Sequence, residues 1–345
     1  MMAGVGIIGT GRVVRSVHLP VLRELADRLP VVHAVAATPD SARTALEGAQ
    51  MSARAGVDVA ALLDDEAVDV VAVCGPHWTH ADHVVAACEA GKRVVLCEKP
   101  LALGVEDARR IATAADRAGT RVLVGTMHSY DPAWRAALGH ARPRLGGARR
   151  VRVRAWVPRT EVLVALASGA APPPAPPAPP PITDPSARAV VLRFALLGLG
   201  VHTATHLRAL LPEVDRVTHA RLLPSGGYLL GLAGPGGTAV LSGFSAGDWR
   251  RPDWHVDARG EGGRLRVDLP SSYLRAGSAT ARWTAAGETR RWSTPLDGYR
   301  AMWENVAEVA AGTAEPVLPL DEAVADLDYL LGIADAAAPL LGDPS

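Results

Sequence analysis

The segment Val5-Gly6-Ile7-Ile8-Gly9-Thr10-Gly11-Arg12-Val13-Val14 decides the fold. A short β-branched run gives way to two glycines one residue apart, and a helix-like stretch at 19–29 follows. Gly9 permits a tight turn. Gly11 lets the backbone N–H groups of the Thr10-Gly11-Arg12-Val13 loop approach a pyrophosphate at a helix N-terminus. Val14 stands where a third glycine is usual, so the weight of the motif rests on its place directly after a buried strand.

Working outward, the same alternation continues through residue 125. Apolar runs at Val5–Ile8, 31–36, 68–73, 93–96 and Arg121–Val124 read as buried parallel strands. Helix-like segments at 19–29, 41–49, 79–90 and Val105–Ala118 separate them, and Gly91 and Gly119 close two of these helices. Strand–helix alternation at this pitch predicts an α/β fold with a doubly wound parallel Rossmann sheet over 1–125. From residue 126 the texture changes. Asp131-Pro132 starts a helix, with the carboxylate as N-cap and the proline at N1. Strand-like stretches with polar alternation follow at 148–157, 217–223, 228–232, 238–244, 255–258, 264–269 and 281–284. Helices resume at 201–211, 299–311 and 321–338. Residues 126–345 therefore form an α+β domain with a large, mostly antiparallel sheet open on one face. The proline-rich run at 170–186 suits neither ladder nor helix and reads as a stiff surface loop. It is a tolerated insertion, a rim of a substrate site or a docking strip.

Composition narrows the function classes. A chain of 345 residues, 48% hydrophobic, buries large cores and fits two domains. Its 36 basic and 36 acidic residues balance, which leaves no basic field for nucleic acid or anionic membrane. Three cysteines (Cys74, Cys88, Cys97) make no disulfide framework and indicate a reducing compartment. No basic leader precedes Val5, and the apolar run at 190–201 is broken by Arg193 and glycines, so no stretch is expected to span a bilayer. The expected location is cytoplasmic. All but two of the basic residues are arginine, the exceptions being Lys92 and Lys99. With abundant alanine, this matches a GC-rich, actinobacterial codon bias rather than any chemistry.

Several side chains stand where chemistry is done in such a sheet. The second strand ends in Ala36-Ala37-Thr38-Pro39-Asp40-Ser41-Ala42-Arg43. An acid there would bond a ribose 2′-hydroxyl; Thr38 replaces it, and Arg43 is placed to reach a 2′-phosphate. The balance favours NADP over NAD, with Asp40 leaving NAD open. Next come Pro76-His77-Trp78-Thr79-His80 and, after the following strand, Cys97-Glu98-Lys99-Pro100. The spacing of Cys74, His77, His80 and His83 invites a zinc reading, but these residues straddle a strand end and a helix start and do not converge, so no metal is expected. Nor does His202 with His206 make one, no acid lying between them.

The G-x-G turn, Pro76 to His80 and Glu98-Lys99-Pro100 together resemble the Gfo/Idh/MocA oxidoreductase family, which includes glucose–fructose oxidoreductase and inositol dehydrogenase. Val124-Gly125 with Tyr130-Asp131-Pro132 is similar to the family's passage into its second domain, and Gly200-Val201-His202 to its second catalytic element. The resemblance implies that Lys99 lies beside the nicotinamide C4 and hydrogen-bonds the reacting oxygen, its bond to Pro100 often being cis. A compact ammonium whose pKa falls on desolvation suits that role, which a guanidinium cannot fill. His202 would be the other acid/base group. Pro76, His77, His80 and Glu98 would line the coenzyme, His80 either directly or as a hydrogen-bonded support behind the nicotinamide. His128 and His206 would face the substrate. The family's Asp-x-Gly-x-His-x-x-Asp is here Gly198-Leu199-Gly200-Val201-His202-Thr203-Ala204-Thr205, lacking both acids.

The resemblance implies hydride exchange with a hydroxyl or keto carbon of a sugar, cyclitol or nucleotide-linked sugar, in secondary metabolism. An imine or C=C reductase, and a non-catalytic dinucleotide-binding regulator, stay open. The tryptophans Trp249, Trp254, Trp283, Trp292 and Trp303 are assigned to the second sheet as core or subunit contact. A homodimer or homotetramer through that sheet is what the resemblance implies.

Overall fold

The computed structural model describes residues 2–147, 149–177, 180, 182–247 and 252–341. Ala148, Trp249 and three residues of the proline-rich loop (Ala178, Pro179, Pro181) lie outside them. Contacts divide the chain into two units, Met1–Tyr130 with Tyr299–Ala325, and Asp131–Gly298 with Asp326–Ser345.

In the first unit, β1 (Val5–Ile8), β2 (Val31–Val35), β3 (Arg54–Gly56), β4 (Val70–Val73), β5 (Val94–Cys97) and β6 (Arg121–Val124) form one sheet in the order β3-β2-β1-β4-β5-β6. Every pairing in it is parallel. The β-branched runs are buried along β1, β4 and β5, as continuous apolar strands covered on both faces must be. The helices are α1 (Leu19–Glu24), α2 (Pro39–Gly48), α3 (Val59–Leu63), α4 (His80–Glu89) and α5 (Val105–Ala118). Helix α5 ends at Gly119 in the left-handed conformation, φ 68°. The chain order reverses between β1 and β4, where open α/β sheets bind ligands. Strand β3 and helix α3 are not in the sequence reading. Three residues beginning with an exposed arginine carry no periodicity to detect.

The expected second domain ran unbroken from 126 to the last residue, whereas α10 (Gly298–Ala310) and the start of α11 (Leu320–Ala337) return to the first unit. Specific bonds hold α10 there. Trp303 donates its indole N–H to His18 at 3.1 Å, Arg300 pairs with Glu24 at 2.8 Å, and Arg93 donates to the Ala310 carbonyl at 3.2 Å. Trp303 is thus a core residue of the first unit and not of the second sheet.

The second unit is built on eight strands: β7 (Arg149–Val157), β8 (Arg216–Leu222), β9 (Tyr228–Gly234), β10 (Gly237–Ser245), β11 (Asp253–Gly260), β12 (Gly263–Asp268), β13 (Thr280–Ala285) and β14 (Glu288–Trp292). Their order is β14-β13-β12-β11-β7-β10-β9-β8, with β7 and β10 parallel and the other pairs antiparallel. Val151, Val153 and Ala155 of β7 and Trp254, Val256 and Ala258 of β11 point into one core with Trp283, while Trp292 packs partly buried at its side. The intervening residues Arg152, Arg154 and Asp257 take the opposite face by the period of two. Helix α6 (Pro132–Ala141) starts as anticipated, the Asp131 carboxylate accepting from Trp134 N–H at 2.9 Å and also from Ala279 N–H at 2.7 Å. Helix α7 (Thr160–Ser168) precedes the proline-rich loop, which Arg159 pins by donating to the Pro173 carbonyl. Helix α8 (Pro185–Ala195), a five-residue π-turn (Leu196–Gly200) and α9 (Val201–Leu210) then follow without a break. That corrects the expectation of no span-length apolar stretch. Pro185–Leu210 is 26 residues of helix, long and apolar enough to cross a membrane. Its Leu192, Leu196, Leu207 and Leu210 are instead spent on the core of this unit.

Lys92 shows what one of the two lysines is for. Buried after α4, its ammonium donates to the Asp65 and Val68 carbonyls at 3.0 and 2.9 Å, closing the loop into β4. Lys92→Met keeps the bulk and removes the ammonium donor from both carbonyls, leaving that of Asp65 only the Val68 N–H. It is expected to cost about 1–3 kcal/mol, read from the urea unfolding midpoint.

Candidate functional site

The candidate site of the first unit lies at the carboxyl ends of its strands. Gly9 has φ 93°, and a Cβ built on it would sit 2.7 Å from the Cys74 carbonyl oxygen and 2.8 Å from Gly75 Cα. The turn after β1 is therefore pressed against the end of β4, and only glycine fits. A Cβ on Gly11 meets nothing within 4 Å. Gly11 and Arg12 are exposed where the helix begins, so the main chain there is open to a ligand. This is the cradle a pyrophosphate requires, and the residues present fit a dinucleotide. Thr10 is buried, its hydroxyl 3.2 Å from that of Ser41, and Val13 is half-buried.

At the end of β2, Thr38 is the N-cap of α2, its hydroxyl accepting from Ser41 N–H at 3.2 Å. Arg43 is exposed and paired with Asp40 at 3.1 Å. A second guanidinium converges there that the sequence reading did not use. Arg15 bonds the Thr10 carbonyl at 2.8 Å and the Ser41 hydroxyl at 2.9 Å.

Past β4, Pro76 and His77 are exposed. Partial desolvation by its neighbours, the Lys99 charge and His80 together hold the His77 imidazole below its usual range. His80 is fully enclosed, with Nδ1 2.7 Å from the Pro100 carbonyl and Nε2 3.1 Å from that of Gly75. Both ring nitrogens face main-chain carbonyls, one at the end of β4 and one in the turn after β5, the geometry of a support.

The turn after β5 holds Glu98 and Lys99, and the Lys99–Pro100 bond is cis. Glu98 is buried. One carboxylate oxygen accepts from His18 Nε2 at 2.9 Å and the other from the Lys99 main-chain N–H at 3.0 Å. Burial pushes this carboxyl up, and the His18 bond, the Lys99 charge and the Lys99 N–H outweigh it, leaving it below the usual range. Lys99 is half-buried; burial lowers its ammonium pKa, with the Glu98 charge opposing. Gly125, after β6, makes room. A Cβ there would lie 2.9 Å from the Glu98 carboxylate and 3.1 Å from its Cα. His128 is buried on the turn Met127–Tyr130. Burial pushes the Cys74 and Cys97 thiols well up, so neither is a nucleophile.

In the second unit His202 is buried on α9, its ring edge-on to Trp254 at 5.5 Å. His206, one turn on, has no exposed surface and packs on Trp134 at 4.3 Å, as a core histidine does. Thr205, where an acid is missing from the local pattern, donates to Asp326 at 2.5 Å, and Arg208 pairs with the same carboxylate at 2.6 Å. That acid arrives from α11, too far along the chain for any local motif to reveal. Among the described residues no group of three or more His, Cys, Asp or Glu converges as a metal site would require.

A turn of this shape at the switch point of a parallel sheet defines a dinucleotide-binding Rossmann unit. The Gfo/Idh/MocA family model, described as oxidoreductase family, NAD-binding Rossmann fold, matches residues 3–126. Inositol 2-dehydrogenase of Paracoccus denitrificans is 39% identical over 153 residues, 43% of this chain and 44% of that protein. Inositol 2-dehydrogenase 3 of Saccharopolyspora erythraea is 42% identical over 140 residues, 39% of each. The alignments thus span less than half the length of these relatives. Among solved structures, a 3-ketoreductase from Actinomadura kijaniata in complex with NADP is similar at a TM-score of 0.73 and 19% identity, covering 97% of this chain and 98% of that one. The aldose–aldose oxidoreductase of Caulobacter crescentus, complexed with glycerol, gives 0.74 and 20% identity, with 98% of each covered. These likenesses bear out the expected fold class across both units.

The depressed Glu98 sets a pH dependence. An acid held below its unfolded value contributes stability above that value, and the contribution is lost as pH falls through the folded value. The melting-temperature gap between wild type and Glu98→Gln is therefore expected to be widest near neutrality and to close on acidification below the ordinary glutamate range.

Proposed function

We infer that this protein is an NAD(P)-dependent oxidoreductase that interconverts a hydroxyl and a keto group on a sugar, cyclitol or nucleotide-linked sugar. The observation that carries the reading is a lysine of lowered pKa, anchored by a buried carboxylate, on the same sheet edge as an open glycine cradle. When bound, a nicotinamide supplies hydride exchange at C4. The Gly9–Val13 turn holds the pyrophosphate, and Pro76 and His77 line the neighbouring strand end. Lys99 donates a hydrogen bond to the substrate oxygen and gives its proton in reduction or takes one in oxidation. The Glu98 charge opposes the lowering that burial imposes on that ammonium, and His80 holds the turn bearing it. His202 is the second proton-exchanging group. His128 and His206 are the candidates for substrate recognition.

The coenzyme is NADP in preference to NAD. Thr38 removes the acid that would repel a 2′-phosphate, and Arg43 and Arg15 lie at the same strand end; the 3-ketoreductase neighbour is likewise described with NADP. A cytoplasmic location and a dimer or tetramer formed through the eight-stranded sheet complete the reading, with a small molecule, and not nucleic acid or membrane, as the partner.

Lys99→Met is expected to bind NADPH with near wild-type affinity by fluorescence and to lose roughly a hundredfold or more of NADPH oxidation against a panel of keto sugars and inosose-type ketones. For reduction, kcat/KM falls as pH rises through the lowered Lys99 pKa, because the ammonium is the donor. Arg43→Ala is expected to weaken NADPH binding roughly tenfold and leave NADH unchanged. Turnover of imines and not ketones would replace the substrate class, and tight NADPH binding with no turnover on either panel would make the protein a regulator.

A further inference from the structure

His18 and Trp303 have no part in the reading so far, yet they form the wall behind Glu98. His18 is 1% exposed and Trp303 fully buried. The indole of Trp303 donates to His18 Nδ1 at 3.1 Å, and an indole can only donate. Nδ1 is therefore bare, the ring proton sits on Nε2, and Nε2 donates to the Glu98 carboxylate at 2.9 Å. The second carboxylate oxygen is taken by the Lys99 N–H. Gly125 leaves the carboxylate just enough space, and the Tyr299 ring closes the other side of His18 edge-on at 6.3 Å. His18 ends a π-turn, Val14–His18, that begins just after the glycine cradle. π-turns occur disproportionately at functional sites.

We propose that Trp303 and His18 are positioning residues, a two-member relay that fixes the orientation and charge of Glu98 and through it the proton-donating state of Lys99. The inference rests on the oxidoreductase reading for its purpose, but its physical content does not. Trp303 sets which nitrogen of His18 carries the proton, and without it the ring is free to turn Nε2 into an acceptor, which would repel the carboxylate. Without His18, Glu98 is a buried carboxylate short of one donor and binds a proton more readily. Lys99 then loses the anion beside it. The other titratable groups facing this pair are His77, from the turn after β4, and the Cys74 and Cys97 thiols, which burial keeps protonated.

The scarcity of lysine makes the test direct. In full-length protein labelled with [ε-13C]lysine only Lys92 and Lys99 give signals, and Lys99→Arg assigns them. The Lys99 titration midpoint is expected to fall by about one pH unit in His18→Leu. It should fall by less in His18→Gln, which keeps an N–H for Glu98, and in Trp303→Phe, which keeps the ring but not the donor. Imidazole 15N shifts of wild type should show the Nε2–H form of His18. A midpoint unmoved in Trp303→Phe and His18→Leu, or an Nδ1–H ring, overturns the relay. Should His18→Leu not fold, Trp303→Phe with the tautomer measurement decides. None of these measurements needs turnover, so the relay and the oxidoreductase reading fail separately: the first on a fixed midpoint, the second on NADPH that is never oxidised.

Discussion

A carboxylate taken out of water has to be fully bonded or it will not stay ionised, and Glu98 is where the first unit meets that constraint. Three separate stretches of chain contribute to it. The π-turn before α1 brings His18, the turn after β5 brings the Lys99 N–H, and the turn after β6 contributes an absence, the missing side chain of Gly125. The returning helix α10 then supplies Trp303 from 285 residues beyond His18. The detour of the chain, leaving the first unit at Tyr130 and coming back at Tyr299, delivers the group that bonds the histidine. The demand for satisfied polar groups inside an apolar setting thus explains both the local geometry and the long-range path.

The first sheet was largely legible because buried parallel strands are written as unbroken β-branched runs, and because Gly9, Gly119 and Asp131 punctuate by mechanisms that act within a few residues. The glycine cradle was legible for the same reason, whereas the Glu98-Lys99-Pro100 turn was legible through its resemblance to a family motif. Strand β3 and helices α3, α7 and α8 were not. The first two are short, and the last two flank a proline-rich segment whose composition says loop while its neighbours fold on. Trp303 illustrates a different limit. Its burial is predictable from its chemistry, but which core receives it depends on where α10 goes, and no local pattern encodes that.

The same limit applies to Thr205. Judged within its own motif it is the loss of an acid, whereas in the folded unit it donates to Asp326, which arrives from α11 with Arg208 bound to its other oxygen. A carboxylate removed from one helix and present on another leaves the local sequence altered and the local charge similar. His206 differs again. Four-residue spacing puts it on the face of His202, and packing against Trp134 then removes its surface altogether. Spacing determines a direction along a helix, and only the neighbours determine what lies in that direction.

The two lysines give the exterior an unusual chemical character. With Lys92 enclosed behind two carbonyls and Lys99 drawn into its strand-end turn, every side-chain cation on the exposed, described surface other than histidine is a guanidinium. Reagents that acylate side-chain amines will find that exterior nearly inert. Cross-linking maps or immobilisation of this protein would have to target carboxylates or arginines.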